Sequence, residues 1–190
     1  NPRRDAIPGT ALPMFEAEIK FVAGPDFAPQ GHQLPDAAYR DVYYDTPDGA
    51  LTASGRELRL RRSGTETWLT AKAPPFDAAT ASKEEFETRA ADPEAMAAIL
   101  AALGYVPRVA LAKRCRRFHD TAAGLGLTIT VVAVDFDRRA FVEIEHLAAT
   151  EQAAKAALPV IRAYAAGLGL RVECATAYTD LALAAAARTL

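Results

Sequence analysis

Cysteine is scarce: Cys115 and Cys174 are the only two among 190 residues. They make neither a disulfide framework nor a metal-ligand spacing, and the expected compartment is the reducing cytoplasm. Excess charge of one sign is also missing, with 22 Lys and Arg against 24 Asp and Glu and a net charge of −2. That balance argues against nucleic acid held through bulk positive charge, so any anion must be bound by local charge. No apolar run approaches the roughly 20 residues needed to span a bilayer, and no membrane association is expected. Residues 1–13, with Pro2, Pro8 and Pro13, lack a signal-peptide core and read as a flexible N-terminal tail. There is no repeat of 20–50 residues and no Pro/Gly/Ser linker, so residues 14–190 are expected to form a single domain. An apolar fraction of 51% beside 24% charged residues is globular.

What is present is alternation. In Phe15-Glu16-Ala17-Glu18-Ile19-Lys20-Phe21 every charge falls on an even position and every apolar residue on an odd one. A strand repeats every two residues, so Glu16, Glu18 and Lys20 share one face. Taken alone, this stretch fits an ordinary strand with its charged face in water. The spacing recurs, however: Arg59 and Arg61 alternate with Leu58 and Leu60, Lys83, Glu85 and Glu87 bracket Phe86, and Glu143 and Glu145 flank Ile144. Four strands with charges of chosen sign at i and i+2 point to one common charged surface.

The rest of the chain supplies the partners. Residues 24–38, with Gly24, Pro25, Pro29, Gly31 and Pro35, hold too many breakers for a long helix and read as a loop. Val42-Tyr43-Tyr44 is β-rich and ends in the turn signature Asp45-Thr46-Pro47-Asp48-Gly49. Residues 57–62 and 65–72 form a predicted hairpin about Ser63-Gly64, and 83–88 a further strand. A helix is expected over 93–103, with Asp92 as cap and Pro93 in its first turn. Strands over 109–118, 127–135 and 140–147 follow, then helices over about 150–166, with Pro159 expected to kink it, and 178–188. The fold class is therefore α+β: about eight mostly antiparallel strands suited to a closed barrel, with three helices outside.

Helices on the outer apolar faces would turn the charges inward. Desolvating so many charges costs several kcal/mol each before pairing offsets it, so such a lumen must be wet and must hold something charged. The basic set assigned to it is Lys20, Arg59, Arg61, Lys72, Lys83, Arg114 and Arg116; the acidic set is Glu16, Glu18, Glu85, Glu87, Asp135, Glu143 and Glu145. Arg forks and Lys point charges match phosphate oxygens, and clustered carboxylates beside them suit Mg²⁺ or Mn²⁺, hard cations that bridge protein to phosphate. The competing reading is a surface of cross-strand salt bridges, each worth about 0–1 kcal/mol.

At this point the residues resemble a family. Glu16-Ala17-Glu18-Ile19-Lys20 is similar to the ExExK signature of the CYTH group, the triphosphate tunnel metalloenzymes. The resemblance continues in order through Tyr43–Gly49, Leu58–Arg61, Thr70–Lys72, Lys83–Glu87, Phe141–Glu145 and Ala177–Leu181. It implies an eight-stranded tunnel, a small-molecule triphosphate or polyphosphate as ligand, a two-metal Mg²⁺ or Mn²⁺ site, and a homodimer. By position, Glu16, Glu18, Glu143, Glu145 and Asp135 look like metal ligands or orienters of the nucleophile, supported by Glu85 and Glu87. Lys20, Arg59, Arg61, Lys72 and Lys83 look like triphosphate ligands, and Glu16, Glu18, Lys20 and Glu145 are the expected catalytic set. The implied activity is hydrolysis of inorganic triphosphate or a small organic or nucleoside triphosphate. The alternatives are a class IV-like adenylyl cyclase and a non-catalytic polyphosphate- or nucleotide-binding module.

The pattern departs from the family at several points. Lys83 stands where Arg is more usual, Ala140 replaces a common Gly, and the Pro-rich 24–38 segment replaces a helix. In Lys113-Arg114-Cys115-Arg116-Arg117-Phe118, counting back from Phe118 puts Cys115 at a basic position, whereas strand parity puts Arg114 and Arg116 inward and Val109, Leu111 and Cys115 outward; parity is followed. His32, His119 and His146 read as surface residues and Cys115 as a packed hydrophobe. Tyr178 reads as packing on a helix that could close one tunnel end, and Trp68 as lying near the lumen or at a barrel end.

Overall fold

Alternating sequence becomes alternating sides of a closed sheet. The computed structural model describes residues 14–24, 27–80 and 82–188; the expected tail over 1–13 lies outside them. In chain order the elements are β1 (Met14–Val22), β2 (His32–Asp45), α1 (Ala50–Ala53), β3 (Glu57–Ser63), β4 (Glu66–Pro75) and β5 (Lys83–Arg89). They continue with α2 (Pro93–Ala102), β6 (Val106–Ala122), β7 (Leu125–Val134), β8 (Ala140–Ala148), α3 (Glu151–Gly167) and α4 (Tyr178–Ala187). The strands close in the order β1-β5-β4-β3-β2-β6-β7-β8, each pair antiparallel.

The register fixes which side chains share the inside. Lys20 pairs with Glu143, and Glu18 with Glu145; these in turn face Thr130 and Thr128. On the other flank Asp41 pairs with Arg61, Arg59 with Thr70, Lys72 with Glu85, and Lys83 with Glu16. A hoop of polar residues thus runs round the barrel.

The opposite faces carry the helices. α3 is amphipathic: Ala154, Ala157, Leu158, Ile161 and Ala165 are buried against Ala17, Ile19, Phe21, Val142 and Ile144 of the barrel. Burying each of Leu158 and Ile161 contributes about 1.5–3 kcal/mol. Thr150 caps its start by accepting from the Ala153 N–H, and Pro159 lies on its solvent side. α2 places Leu100 and Met96 against Leu58, Leu60 and Leu69, with Asp92 accepting from the Ala95 N–H. α4 packs differently, joining Tyr178 to Tyr39, Tyr43, Leu111, Cys115, Val132 and Phe141, an apolar layer at one end of the barrel.

Two departures from the expected elements have physical reasons. The 24–38 segment is a loop only to Gly31, for β2 begins at His32. Pro35 is tolerated because β2 pairs with β6 through a register shift between Leu34 and Ala37, while β3 reaches only Arg40–Tyr44; no ladder there needs its missing N–H. Gly31 opens this strand at φ 97°, and a Cβ there would stand 2.5 Å from the His119 carbonyl oxygen. A fourth helix, α1, follows the Asp45–Gly49 turn. It forms because the buried Asp45 carboxylate accepts from the Thr46, Leu51 and Thr52 N–H groups at 2.7, 2.8 and 3.1 Å and from the Thr52 hydroxyl at 2.6 Å, gathering donors that a short helix leaves unpaired.

The seam between β1 and β5 is the shortest, pairing only Met14, Glu16 and the residue between them. Ser82 extends it: its hydroxyl accepts from the Glu18 N–H at 3.1 Å and donates to the Glu18 carbonyl at 3.2 Å. Further along, the segment after α3 takes over. Val22 donates to the Val172 carbonyl at 2.9 Å and Cys174 to the Lys20 carbonyl at 2.7 Å. Among the described residues no helix is long and apolar enough to cross a membrane.

Candidate active site

The inside of the barrel holds a cavity of about 400 Å³ lined mainly by charged side chains. Eleven of the sequence-predicted residues reach it: Glu16, Glu18, Lys20, Arg59, Arg61, Lys72, Lys83, Glu85, Glu87, Glu143 and Glu145. Three do not. Arg114 and Arg116 are exposed on the outside of β6, while Lys113, Cys115 and Arg117 line the cavity. The parity expectation for β6 is therefore corrected, and Cys115 and Leu111 are buried rather than outward. The reason is Phe118, which is drawn into the jacket beneath α3 and so turns its odd-numbered neighbours inward. Asp135 is likewise corrected: it lies just past β7, exposed, beside Arg40 and Arg62 at a separate outer cavity.

Glu16, Glu18 and Glu145 form one corner, each offering a carboxylate oxygen within 4.8 Å of the others. Burial, then the charges of Glu143 and Glu16, push the Glu18 carboxyl up to about 8. Glu145 is raised by burial and by Glu16 and Glu18. Three carboxyls pressed together against their own repulsion are a donor set suited to a hard divalent cation.

The cations are arranged around this corner. The Lys72 ammonium bonds Glu16 and lies 3.1 Å from Glu85. Burial alone would discharge it, but Glu16 and Glu85 hold it charged. Lys83 donates to Glu57 at 2.5 Å and to the Gly55 carbonyl at 3.1 Å. Arg61 forks onto Asp41 at 2.8 and 2.6 Å and stacks on Tyr39 at 4.1 Å. Arg59 reaches the Thr70 hydroxyl at 3.3 Å, which in turn donates to Glu87 at 2.9 Å. Lys20 donates to the Thr176 carbonyl at 2.5 Å, and Lys113 stands 3.9 Å from Glu143. Burial would raise Glu143, yet Lys113 and Lys20 bring it below the ordinary carboxylate range.

Sequence reasoning missed Asp41, Glu57, Lys113, Arg117, Tyr39 and Tyr43 as lining or supporting residues. The even spacing of Tyr39, Asp41 and Tyr43 was a usable signal, since strand parity puts all three on one face of β2. For Lys113 and Arg117 the usable signal was the bulk of Phe118. His119 is exposed, and His146 meets the Gly126 carbonyl at 2.9 Å through Nδ1.

The CYTH domain family model matches residues 14–172. This chain belongs to the CYTH domain family. No curated protein matches it in sequence. Among solved structures the CYTH barrel is similar to the PH1819 protein of Pyrococcus horikoshii, with TM-score 0.74 and 22% identity over 88% of this chain and 98% of that one. It is also similar to a candidate adenylate cyclase of Vibrio parahaemolyticus, with TM-score 0.68 and 19% identity over 87% and 96% of the two chains. A third neighbour is a candidate adenylyl cyclase of Hippeastrum described as having a dominant triphosphatase activity, with TM-score 0.62 and 16% identity over 90% and 95%. At these identities the likeness concerns the CYTH fold.

Proposed function

We propose that this CYTH protein is a metal-dependent triphosphatase acting on inorganic triphosphate or a small organic triphosphate. The observation that carries the reading is the three-carboxylate corner of Glu16, Glu18 and Glu145 sharing one cavity with Lys20, Arg59, Arg61, Lys72, Lys113 and Arg117. Pure anion binding would be weakened by so many carboxylates, whereas phosphoryl transfer uses both signs of charge.

Glu16, Glu18 and Glu145 would hold Mg²⁺ or Mn²⁺, with Glu143, Glu85 and Glu87 in support. Bound there, such a cation neutralises phosphate oxygens and lowers the pKa of a water molecule. The chain's own residues do the rest. Arg59 and Arg61 grip the phosphate chain with forks, and Lys20, Lys72, Lys83, Lys113 and Arg117 add point or fork charge. The preset cationic wall stabilises charge gathering on the bridging oxygen as water attacks the terminal phosphorus in line and that P–O bond breaks. A carboxylate of the acidic corner accepts the proton of the attacking water.

The cyclase alternative has less support. Tyr39 and Tyr43 in the cavity wall each turn a face to an arginine, Arg61 at 4.1 Å and Arg59 at 5.9 Å, and so serve to hold phosphate-binding cations rather than to stack a base. The deciding assay offers purified protein triphosphate or ATP with Mg²⁺ or Mn²⁺. Metal-dependent phosphate release from triphosphate is expected, with Arg61→Ala raising KM; cyclic AMP from ATP without phosphate release would replace the proposal.

A further inference from the structure

One end of the cavity is closed by the chain that follows α3. The pairing of Cys174 with Lys20 directs Thr176 and Tyr178 inward, where both line the cavity. Tyr178 is 7% exposed. Its ring meets Phe141 edge-on, with centroids 5.4 Å apart at 89°. The Lys20 and Lys113 ammoniums lie 4.2 and 3.8 Å from its centroid. Its hydroxyl is buried and makes no hydrogen bond of good geometry, the Glu143 carboxylate being its neighbouring acceptor. Burial and the neighbouring Glu143 push the phenol far up, so it remains a neutral O–H donor. A buried donor so loosely held, on a ring that carries two lysines in an anion-binding cavity, is a place for a phosphate oxygen.

We infer that Tyr178 is a positioning and specificity-determining residue, its O–H donating to the innermost phosphate of the bound chain and its ring forming the floor that limits chain length. This rests on the phosphate-binding reading above. The two lysines stacked on the ring supply charge to the same phosphate, and the apolar layer beneath the ring, Val132, Val134 and Phe141, offers nothing to a further phosphate while the floor is in place.

The test compares wild type, Tyr178→Phe and Tyr178→Ala with pyrophosphate, triphosphate and tetraphosphate. Binding is followed by calorimetry with Mn²⁺ and turnover by phosphate release. Tyr178→Phe keeps the packing and loses only the donor; Kd and KM for triphosphate should rise about tenfold, the size of one hydrogen bond to a charged group, with kcat changed less than about twofold. Tyr178→Ala should raise the tetraphosphate-to-triphosphate ratio of kcat/KM about tenfold. Wild-type binding by Tyr178→Phe, or an equal loss at all three lengths in a folded Tyr178→Ala, overturns the inference while leaving the triphosphatase reading intact. If Tyr178→Ala does not fold, the Tyr178→Phe arm decides alone. Wild type that neither binds nor cleaves any of the three overturns both.

Discussion

Arg61 donates two hydrogen bonds, at 2.8 and 2.6 Å, into an Asp41 carboxylate that has no exposed surface. Arg59 adds a third positive contact at 3.9 Å. The pair sets the plane of the Arg61 guanidinium before any ligand arrives, so part of the ordering cost of phosphate binding is met by the fold. Burial would raise the Asp41 carboxyl, but the Arg61 guanidinium brings it down to about 2 from an ordinary 3.8. A depressed carboxyl stabilises the folded state above its unfolded pKa, and that stability is lost as pH falls from about 4 toward 2, amounting to about 2 kcal/mol. Asp41→Asn should remove this part of the acid dependence and, by leaving the half-buried Arg61 without its carboxylate, cost about 1–3 kcal/mol near neutral pH. Urea unfolding of both proteins from pH 2 to 7 checks it. Asp45 titrates in the same window, also near 2, so the difference between the two curves is the quantity to read.

The acidic corner predicts the opposite slope. Glu18 is raised from 4.5 to about 8, so without a divalent cation the folded protein holds a proton that the unfolded chain releases. Stability contributed by that proton is present below about pH 4.5 and declines as pH rises toward 8. Glu18→Gln should abolish turnover and, without cation, melt a few °C above wild type at pH 8 but not at pH 5. Mn²⁺ should raise the wild-type Tm and leave Glu18→Gln nearly unmoved. Scanning calorimetry of both proteins with and without the ion measures this, and equal Mn²⁺ shifts would remove Glu18 from the cation site.

The correction on β6 has a direct test. Arg114 and Arg116 are exposed, whereas Arg117 lines the cavity. Arg114→Ser and Arg116→Ser should leave triphosphate KM within about twofold, while Arg117→Ser should raise it about tenfold or more, as expected for a lost charge-assisted contact. Steady-state kinetics on the three variants distinguishes them.

Lys72 is pinned between Glu16 and Glu85. Lys72→Met keeps the length of the side chain and removes the charge, leaving two buried carboxylates without their common partner. The expected cost is about 3–5 kcal/mol, recovered in part by Mg²⁺ or Mn²⁺ at Glu16. Denaturant midpoints with and without the ion check both halves of the statement.

Much of this arrangement was legible in the sequence because β1 and β8 carry charge on one parity only, and β3 and β5 depart from that rule only at Arg62 and Glu84. β6 was not legible in that way: Lys113, Arg114, Arg116 and Arg117 place cations on both parities, and only the long-range packing of Phe118 against α3 breaks the tie. β2 hid its first turn of pairing behind Pro29, Gly31 and Pro35, since a proline beside an unpaired stretch of sheet looks like a loop from sequence alone. Asp41 gave no sign of its importance because its partner is twenty residues away and meets it only through the β2–β3 register. Tyr178 read as packing, which it is in part; that its buried hydroxyl lacks a well-formed hydrogen bond is visible only in three dimensions.

The segment that floors the barrel is tied to β1 through backbone groups at Lys20 and Val22. Main-chain pairing makes little demand on which side chains follow. A vessel of another depth therefore asks for edits in the trailing stretch, with the cylinder left as it stands.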